Sequence, residues 1–167
     1  MTRSVCDKPA EKRRITGNLA KVFLVNGAAN CDTPSDFSYL YVIQCGTCGP
    51  IKLGFAGNPV WRLGDLQCGS WEELHLRAVV AVLDGDHAAI ERMAHSLASA
   101  KRIRGEWFSL EPLDAVACVM RAAHELGHLI GTIDDARQQR KEIMLAELDA
   151  SERERVRILR QKLGIDL

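Results

Sequence analysis

The chain has 167 residues, a length typical of one domain or of a small domain with an extension. Hydrophobic residues make up 47% and charged residues 26% of it, which provides for an apolar core and a polar surface. Lys+Arg and Asp+Glu both count 22, so the basic excess of many nucleic-acid binders is missing, and any contact with nucleic acid would need a local basic patch.

We expect an intracellular, cytoplasmic protein with no membrane contact. No apolar stretch approaches the ~18 residues of a membrane helix, and the charged residues 1–16 lack the apolar stretch of a signal peptide. The six cysteines show no disulfide framework. Cys45 and Cys48 form a CxxC without a second pair. Since Cys68 and His75 could complete four zinc ligands only at an unusual spacing, we interpret the CxxC as flanking a turn.

Composition divides the chain into three segments. Residues 1–36 are polar, with one short apolar run at 21–25 that could form a strand. Residues 37–111 carry the strongest strand and helix patterns and form the predicted core. Residues 112–167 are rich in Ala, Glu and Arg and are predicted to form a helical extension.

The predicted core starts with two strands and a helix. Residues 39–44 are dense in β-forming side chains, and residues 50–55 return after a turn rich in glycine. Asn58 and Pro59 then favour a helix start, because Asn caps free N–H groups and proline loses no hydrogen bond in the first turn. That helix is expected to extend to about Gln67.

A third strand is predicted at residues 74–83, followed by a helix that Asp86 caps and that extends to about Ala100. At 100° per residue, Glu91 and His95 lie together on the border of this helix's apolar stripe. The order ββαβα predicts an α+β fold, with a small three-stranded antiparallel sheet flanked by helices and followed by the helical C-terminal extension.

Three helices are predicted in the extension. The first covers residues 113–126 and stops at Gly127, and two charged helices follow at 134–150 and 152–163, with Ser151 as a cap between them. The charged helices could cover the core, join two chains as a homodimer or contact DNA. His124 and His128 stand four residues apart but lack the acid of an HExxH metal motif.

Five short motifs follow one another between residues 39 and 110, on the predicted hairpin, two helices and a later turn. They are Tyr39-Leu40-Tyr41, Lys52-Leu53-Gly54, Asn58-Pro59 with Arg62, Glu91 with His95, and Gly105-Glu106-Trp107-Phe108. In this order and spacing they resemble the GIY-YIG nuclease superfamily, in particular a phage and bacterial branch often labelled only as a DNA-binding domain. Lysine at position 52 replaces the tyrosine of the second name motif, as is usual in that branch. Tyr39 stands where glycine is usual, and Ala56 where threonine is common.

The resemblance implies a GIY-YIG-like fold and a metal-dependent endonuclease that hydrolyses DNA phosphodiester bonds with Mg²⁺ or another divalent cation such as Mn²⁺. It places Tyr41 as general base or water-positioning group, Arg62 and Lys52 on the phosphate, and Glu91 on the metal. These types suit the chemistry, because Mg²⁺ needs one or two carboxylates and a guanidinium fork fits phosphate oxygens. His95 is a second proton carrier.

Each of these residues also has a purely structural interpretation, such as a buried strand tyrosine, an edge lysine or a helix-surface pair. Glu106 could act directly or brace its loop. A basic cluster just before it is the best candidate for contact with the DNA backbone and consists of Lys101, Arg102 and Arg104. The alternative function is a non-cleaving nucleic-acid-binding module of the same fold, and a third is an interaction protein without nucleic-acid contact.

Overall fold

The computed structural model describes residues 23–25 and 33–163, so the strand expected at 21–25 lies partly outside the described residues. At its centre is a six-stranded antiparallel sheet with the order β4-β5-β2-β1-β3-β6. Its strands are β1 (Ser38–Cys45), β2 (Ile51–Ala56), β3 (Leu74–Val82), β4 (Arg102–Arg104), β5 (Trp107–Phe108) and β6 (Ile130–Gly131). Leu24 adds an isolated antiparallel bridge to Ala78 of β3.

Four α-helices accompany the sheet in the described ranges. They are α1 (Pro59–Cys68), α2 (His87–Leu97), α3 (Pro112–Leu126) and α4 (Ile133–Leu163), and a short 3-10 turn covers Ser99–Lys101. None of them combines the length and apolar character that a membrane-crossing helix requires.

The α+β class is confirmed, but the prediction of a small three-stranded sheet is wrong. Strands β4, β5 and β6 have three, two and two residues, too few for an alternating pattern to stand out in the sequence. All three residues of β4 are exposed and two are arginines, a composition that suggests a loop. Short, charged strands are common at sheet edges, where they discourage pairing with other chains. Gly105, at φ 55°, makes the turn between β4 and β5.

The sheet is covered on both faces. Leu40 and Val42 of β1 belong to one apolar cluster, which α2 and α3 complete with residues such as Ile90 and Val116. Tyr41 and Ile43 point to the other face and belong to a second cluster, against which α1 packs. Because β1 is buried on both sides, its residues are held in one position, which fixes the frame for neighbouring side chains.

The predicted starts of α1 and α2 are confirmed. The Asn58 side chain accepts hydrogen bonds from the N–H groups of Val60 and Trp61, each at 3.0 Å. Asp86 accepts from Ala88 and Ala89 at 2.8 and 3.1 Å. These caps fix where the helices that carry Arg62, Glu91 and His95 begin.

The later helices differ partly from the prediction. Helix α3 ends at Gly127 in the left-handed conformation, at φ 70°, as expected. The break predicted at Ser151 is wrong, because α4 continues without interruption from Ile133 to Leu163. Serine costs a helix only a few tenths of a kcal/mol more than good helix formers, so ~0.5 kcal/mol does not end a helix that strong formers continue on both sides.

Candidate active site at the edge of strand β2

Tyr41 and Lys52 lie on the same face of the central hairpin. In the β1–β2 register Tyr41 is opposite Gly54 and Ile43 is opposite Lys52, so Tyr41 and Lys52 are diagonal neighbours. Side chains in this relation lie roughly 7–8 Å apart at their Cα atoms and can reach each other when they are long. Both residues are buried, with 2% of Tyr41 and 6% of Lys52 exposed.

The phenol of Tyr41 lies directly over Gly54. A Cβ atom at position 54 would come within 2.6 Å of the Tyr41 Cζ atom and would overlap the hydroxyl. Glycine therefore leaves the space through which the Tyr41 side chain crosses β2 towards the strand's outer side. This gives a steric reason for the Gly that ends Lys52-Leu53-Gly54.

Arg62 of α1 covers the end of Tyr41. Hydrogen bonding to the Tyr41 hydroxyl raises the pKa of the Arg62 guanidinium above its usual value, with further contributions from the charges of Asp65 and Glu106. Arg62 is itself exposed. Arg62 is therefore a permanent cation that faces solvent, and its guanidinium is hydrogen-bonded to the buried Tyr41 phenol.

Lys52 is paired with Glu106, which lies in the turn between β4 and β5. The Lys52 ammonium donates to a carboxylate oxygen of Glu106, and the side chain of Glu106 remains 48% exposed. This hydrogen bond lowers the pKa of Glu106 below its usual value. The Lys52 Nζ atom also lies 6.0 Å from the centre of the Trp107 ring. From the sequence, Glu106 is expected either to act directly or to brace its loop, and its pairing with Lys52 is not predicted. A lysine on a buried strand needs a carboxylate partner, and that need is the signal that could have identified Glu106.

Helix α2 brings His95 to the outer edge of β2. The His95 Nε2 atom lies 3.1 Å from the carbonyl oxygen of Leu53. Because a carbonyl can only accept, Nε2 must carry the hydrogen, and in the neutral ring Nδ1 then keeps the lone pair. The ring also lies 5.2 Å from that of Phe108. His95 is therefore held in a defined orientation and tautomer.

Glu91 is half-buried one helical turn before His95. Burial raises the pKa of Glu91, and the negative charge of Glu106 raises it further, while His95 and Lys52 act in the opposite direction. The pKa of Glu106 is lowered by Lys52, so the two carboxylates respond oppositely to one shared environment. Glu91 thus has less positive charge around it than burial demands, and a cation would stabilise its ionised form.

The carboxylates at this edge of the sheet are Glu91 and Glu106. In residues 23–25 and 33–163 no group of three or more His, Cys, Asp or Glu side chains is arranged to hold a metal ion. Mg²⁺ is usually bound through one or two carboxylates, with water and substrate phosphate as its other ligands. Glu91 and Glu106 lie within electrostatic range of each other, so this edge presents two carboxylates.

The basic cluster lies on the 3-10 turn and on edge strand β4, and its members differ in their contacts. Arg102 donates to the carbonyl oxygens of Gly105 and of His95, the latter at 3.2 Å, and its guanidinium lies 4.8 Å from the Phe108 ring centre. These contacts tie β4 to α2, so Arg102 has a structural task. Lys101 and Arg104 are exposed at the same edge and are better placed for contact with a ligand.

The CxxC segment lies at the other end of the hairpin. The Cys45 Sγ atom lies 3.3 Å from Glu72 Oε2. The pKa of the Cys45 thiol is raised, mainly by burial and to a smaller extent by the hydrogen bond to Glu72 and its charge. The raised pKa favours the protonated thiol, whereas zinc binds the thiolate. Cys48 lies in the turn and is exposed, as is Cys68 at the end of α1.

Comparison with known proteins adds no assignment: no protein-family model matches the chain, and no curated protein and no solved structure matches it.

Proposed function

We propose that this protein is a divalent-metal-dependent endonuclease that hydrolyses phosphodiester bonds in DNA. The observation that carries the proposal is the meeting of side chains from β1, β2, α1 and α2 at one edge of the sheet. They are Tyr41, Lys52, Arg62, Glu91 and His95, the residues on which the resemblance to GIY-YIG nucleases rests. Their types supply a metal ligand, a phosphate-binding cation and a proton carrier within one small surface.

The proposed metal ligand is Glu91, with Glu106 as a second carboxylate in electrostatic range. A bound Mg²⁺ or Mn²⁺ would neutralise charge on the scissile phosphate and favour ionisation of a water molecule. Glu91 suits this role because its burial leaves its negative charge undercompensated. Lys52 keeps Glu106 ionised and in place, so its role is positioning, rather than the direct phosphate contact expected from the resemblance.

The proposed phosphate contact is Arg62, whose exposed guanidinium offers a planar fork for two phosphate oxygens. Tyr41 supports that guanidinium from below. Since Tyr41 is 98% covered, the water-positioning role suits it better than that of a general base open to solvent. His95 is the better proton acceptor, because the hydrogen on Nε2 is committed to Leu53 and the lone pair on Nδ1 remains.

DNA is proposed to approach along the edge that carries Lys101 and Arg104. The formal net charge of the chain is zero, so attraction to DNA would depend on these side chains and on Arg62. Contact with a few phosphates predicts an affinity that falls with added salt, with a small slope.

One observation favours the alternative, a binding module that does not cut. Lys52 and Glu106 already satisfy one another, and the Tyr41 hydroxyl is covered by Arg62. A surface with its polar groups paired in this way can hold a phosphate backbone without activating water.

Plasmid cleavage with and without Mg²⁺ separates these functions, with wild-type protein compared with Glu91→Gln. The expected result is metal-dependent nicking that Glu91→Gln abolishes while its melting temperature stays within a few degrees of wild type. Glu73→Gln is the matched control, because Glu73 is exposed and lies immediately before β3, away from the site. Full activity in Glu91→Gln would contradict the metal assignment. Salt-sensitive DNA binding without cleavage would favour the module, and no binding at all would favour an interaction protein.

A further inference from the structure

The outer part of helix α4 is exposed on all sides. Every residue from 141 to 162 is exposed, including seven large apolar side chains that are 40–63% exposed. They are Ile143, Met144, Leu145, Leu148, Val156, Ile158 and Leu159. Most helical stability in proteins comes from packing an apolar face rather than from helix propensity. The segment therefore has a face suited to a partner.

Four of these side chains form one stripe. At 100° per residue, Leu145, Leu148, Val156 and Leu159 fall within a sector of about 80°. Glu152 lies at the middle of that sector. Leu148 and Val156 stand four residues from Glu152 on either side, and Leu145 and Leu159 stand seven. The stripe is therefore symmetric about its centre in position and in apolar character.

Charge is divided at the same point. Residues 142–152 carry Glu142, Glu147, Asp149 and Glu152 and no basic residue, which gives them a charge of −4. Residues 153–162 carry five basic residues and Glu154, which gives them +4. The two halves therefore have opposite charges and attract each other, whereas two acidic halves, or two basic halves, repel one another.

We propose that α4 pairs with α4 of a second copy of this chain, antiparallel and centred on Glu152. In that arrangement Leu148 of each copy meets Val156 of the other, and Leu145 meets Leu159. Each acidic half then lies along the basic half of the other helix. A parallel pair would place acidic halves together and basic halves together, which costs free energy at low ionic strength. The two Glu152 side chains meet at the centre, where Arg153 and Arg155 of both copies flank them and offset their charge.

Sedimentation equilibrium of the full chain at micromolar concentrations and low salt tests the pairing. The wild type is expected to be a dimer, and Leu148→Glu combined with Leu159→Glu is expected to raise its dissociation constant at least about tenfold. Ile143→Glu is the matched control, because Ile143 lies on the opposite side of the helix and its replacement should leave the constant unchanged. Glutamate is a good helix former, and circular dichroism verifies that both variants keep the helix.

Ionic strength tests the orientation without any variant. Attraction between opposite halves predicts that added salt weakens the dimer, whereas a parallel pair would become stronger as repulsion is screened. A wild-type chain that stays monomeric throughout, with its stripe left to another partner, would overturn the proposal. So would an equal loss of pairing in Ile143→Glu, or a dimer that salt strengthens. Because the measurement does not involve DNA, its outcome is independent of the nuclease proposal.

Discussion

Strand β1 and the outer part of helix α4 are opposite extremes of burial in this molecule. Six of the eight residues of β1 are buried, and neighbours on both faces determine where each side chain lies. From residue 141 to 162 helix α4 is exposed throughout, held by its backbone and by pairs such as Arg157 with Glu154 at 2.8 Å. The groups of the candidate active site lie around this buried region, and catalytic groups in general lose much of their effect when misplaced by about 1 Å. The exposed region is the one for which we propose pairing with a second copy of the chain.

The largest effect is expected from Gly54→Ala. The added methyl group would overlap the Tyr41 phenol, and overpacking of this kind destabilises a core by about 1–3 kcal/mol. Thermal unfolding measures this, and cleavage should fall as well, because Arg62 loses its support. Gly64→Ala in α1 is the matched control: its Cβ would meet nothing within 4 Å, and it should stabilise the helix by about 0.5–1 kcal/mol. Equal melting temperatures for the two variants would show that the Tyr41–Gly54 contact is not tight.

Arg62→Lys is expected to slow cleavage at least tenfold, about 1.4 kcal/mol in activation free energy, because an ammonium cannot reproduce the fork on the phosphate. Single-turnover rates on a plasmid measure this. Arg121→Lys, an exposed change on α3 that keeps its charge beside Glu125, should leave the rate unchanged. Wild-type kinetics in Arg62→Lys would reduce Arg62 to a general positive charge.

Removing the Lys52–Glu106 pair is expected to lower the free energy of unfolding more than removing an ion pair on the outer part of α4. Glu106→Gln removes the counter-charge of a buried lysine and is expected to cost about 1 kcal/mol in the free energy of unfolding. Glu154→Gln breaks an exposed pair on α4 and should leave the melting temperature unchanged. Urea titration compares the two. If Glu154→Gln lowered the free energy of unfolding more than Glu106→Gln, the contrast between the core and the outer helix would be wrong.

The smallest effect concerns the start of α2. Hydrogen bonds from the Ala89 and Ala88 N–H groups lower the pKa of Asp86 below its usual value of 3.8. A lowered pKa means that the cap's contribution is complete above that usual value and is lost as pH falls through the folded-state pKa. Asp86→Asn keeps a capping side chain that does not titrate. Its melting temperature should therefore fall less than that of the wild type between pH 4 and more acidic conditions, and parallel curves would contradict the assignment.

Local signals were sufficient for much of the core. The β-formers of residues 39–44 and the Asn58-Pro59 pair predicted β1 and α1, because burial on two faces and a cap leave clear patterns in the sequence. Strands β4 and β5 were missed because two or three residues carry no period, and they are strands only because β5 pairs with β2 and β4 pairs with β5. The Lys52–Glu106 pair was missed because it joins residues 54 positions apart, and no local pattern connects them. Magnesium, DNA and catalysis remain predictions about the assembled site.

The outer edge of β2 has a consequence for solubility. Strand β5 pairs with β2 only at Ile51 and Lys52. At Leu53 the edge is closed by the Glu106 carbonyl at 3.3 Å from the amide nitrogen and by the His95 ring on the carbonyl oxygen. Unpaired sheet edges recruit extended chains and lead to aggregation. The His95 imidazole therefore blocks pairing at this sheet edge in addition to its place in the candidate site. Without it, the carbonyl oxygen of Leu53 would be free to accept a hydrogen bond from an extended segment of another chain.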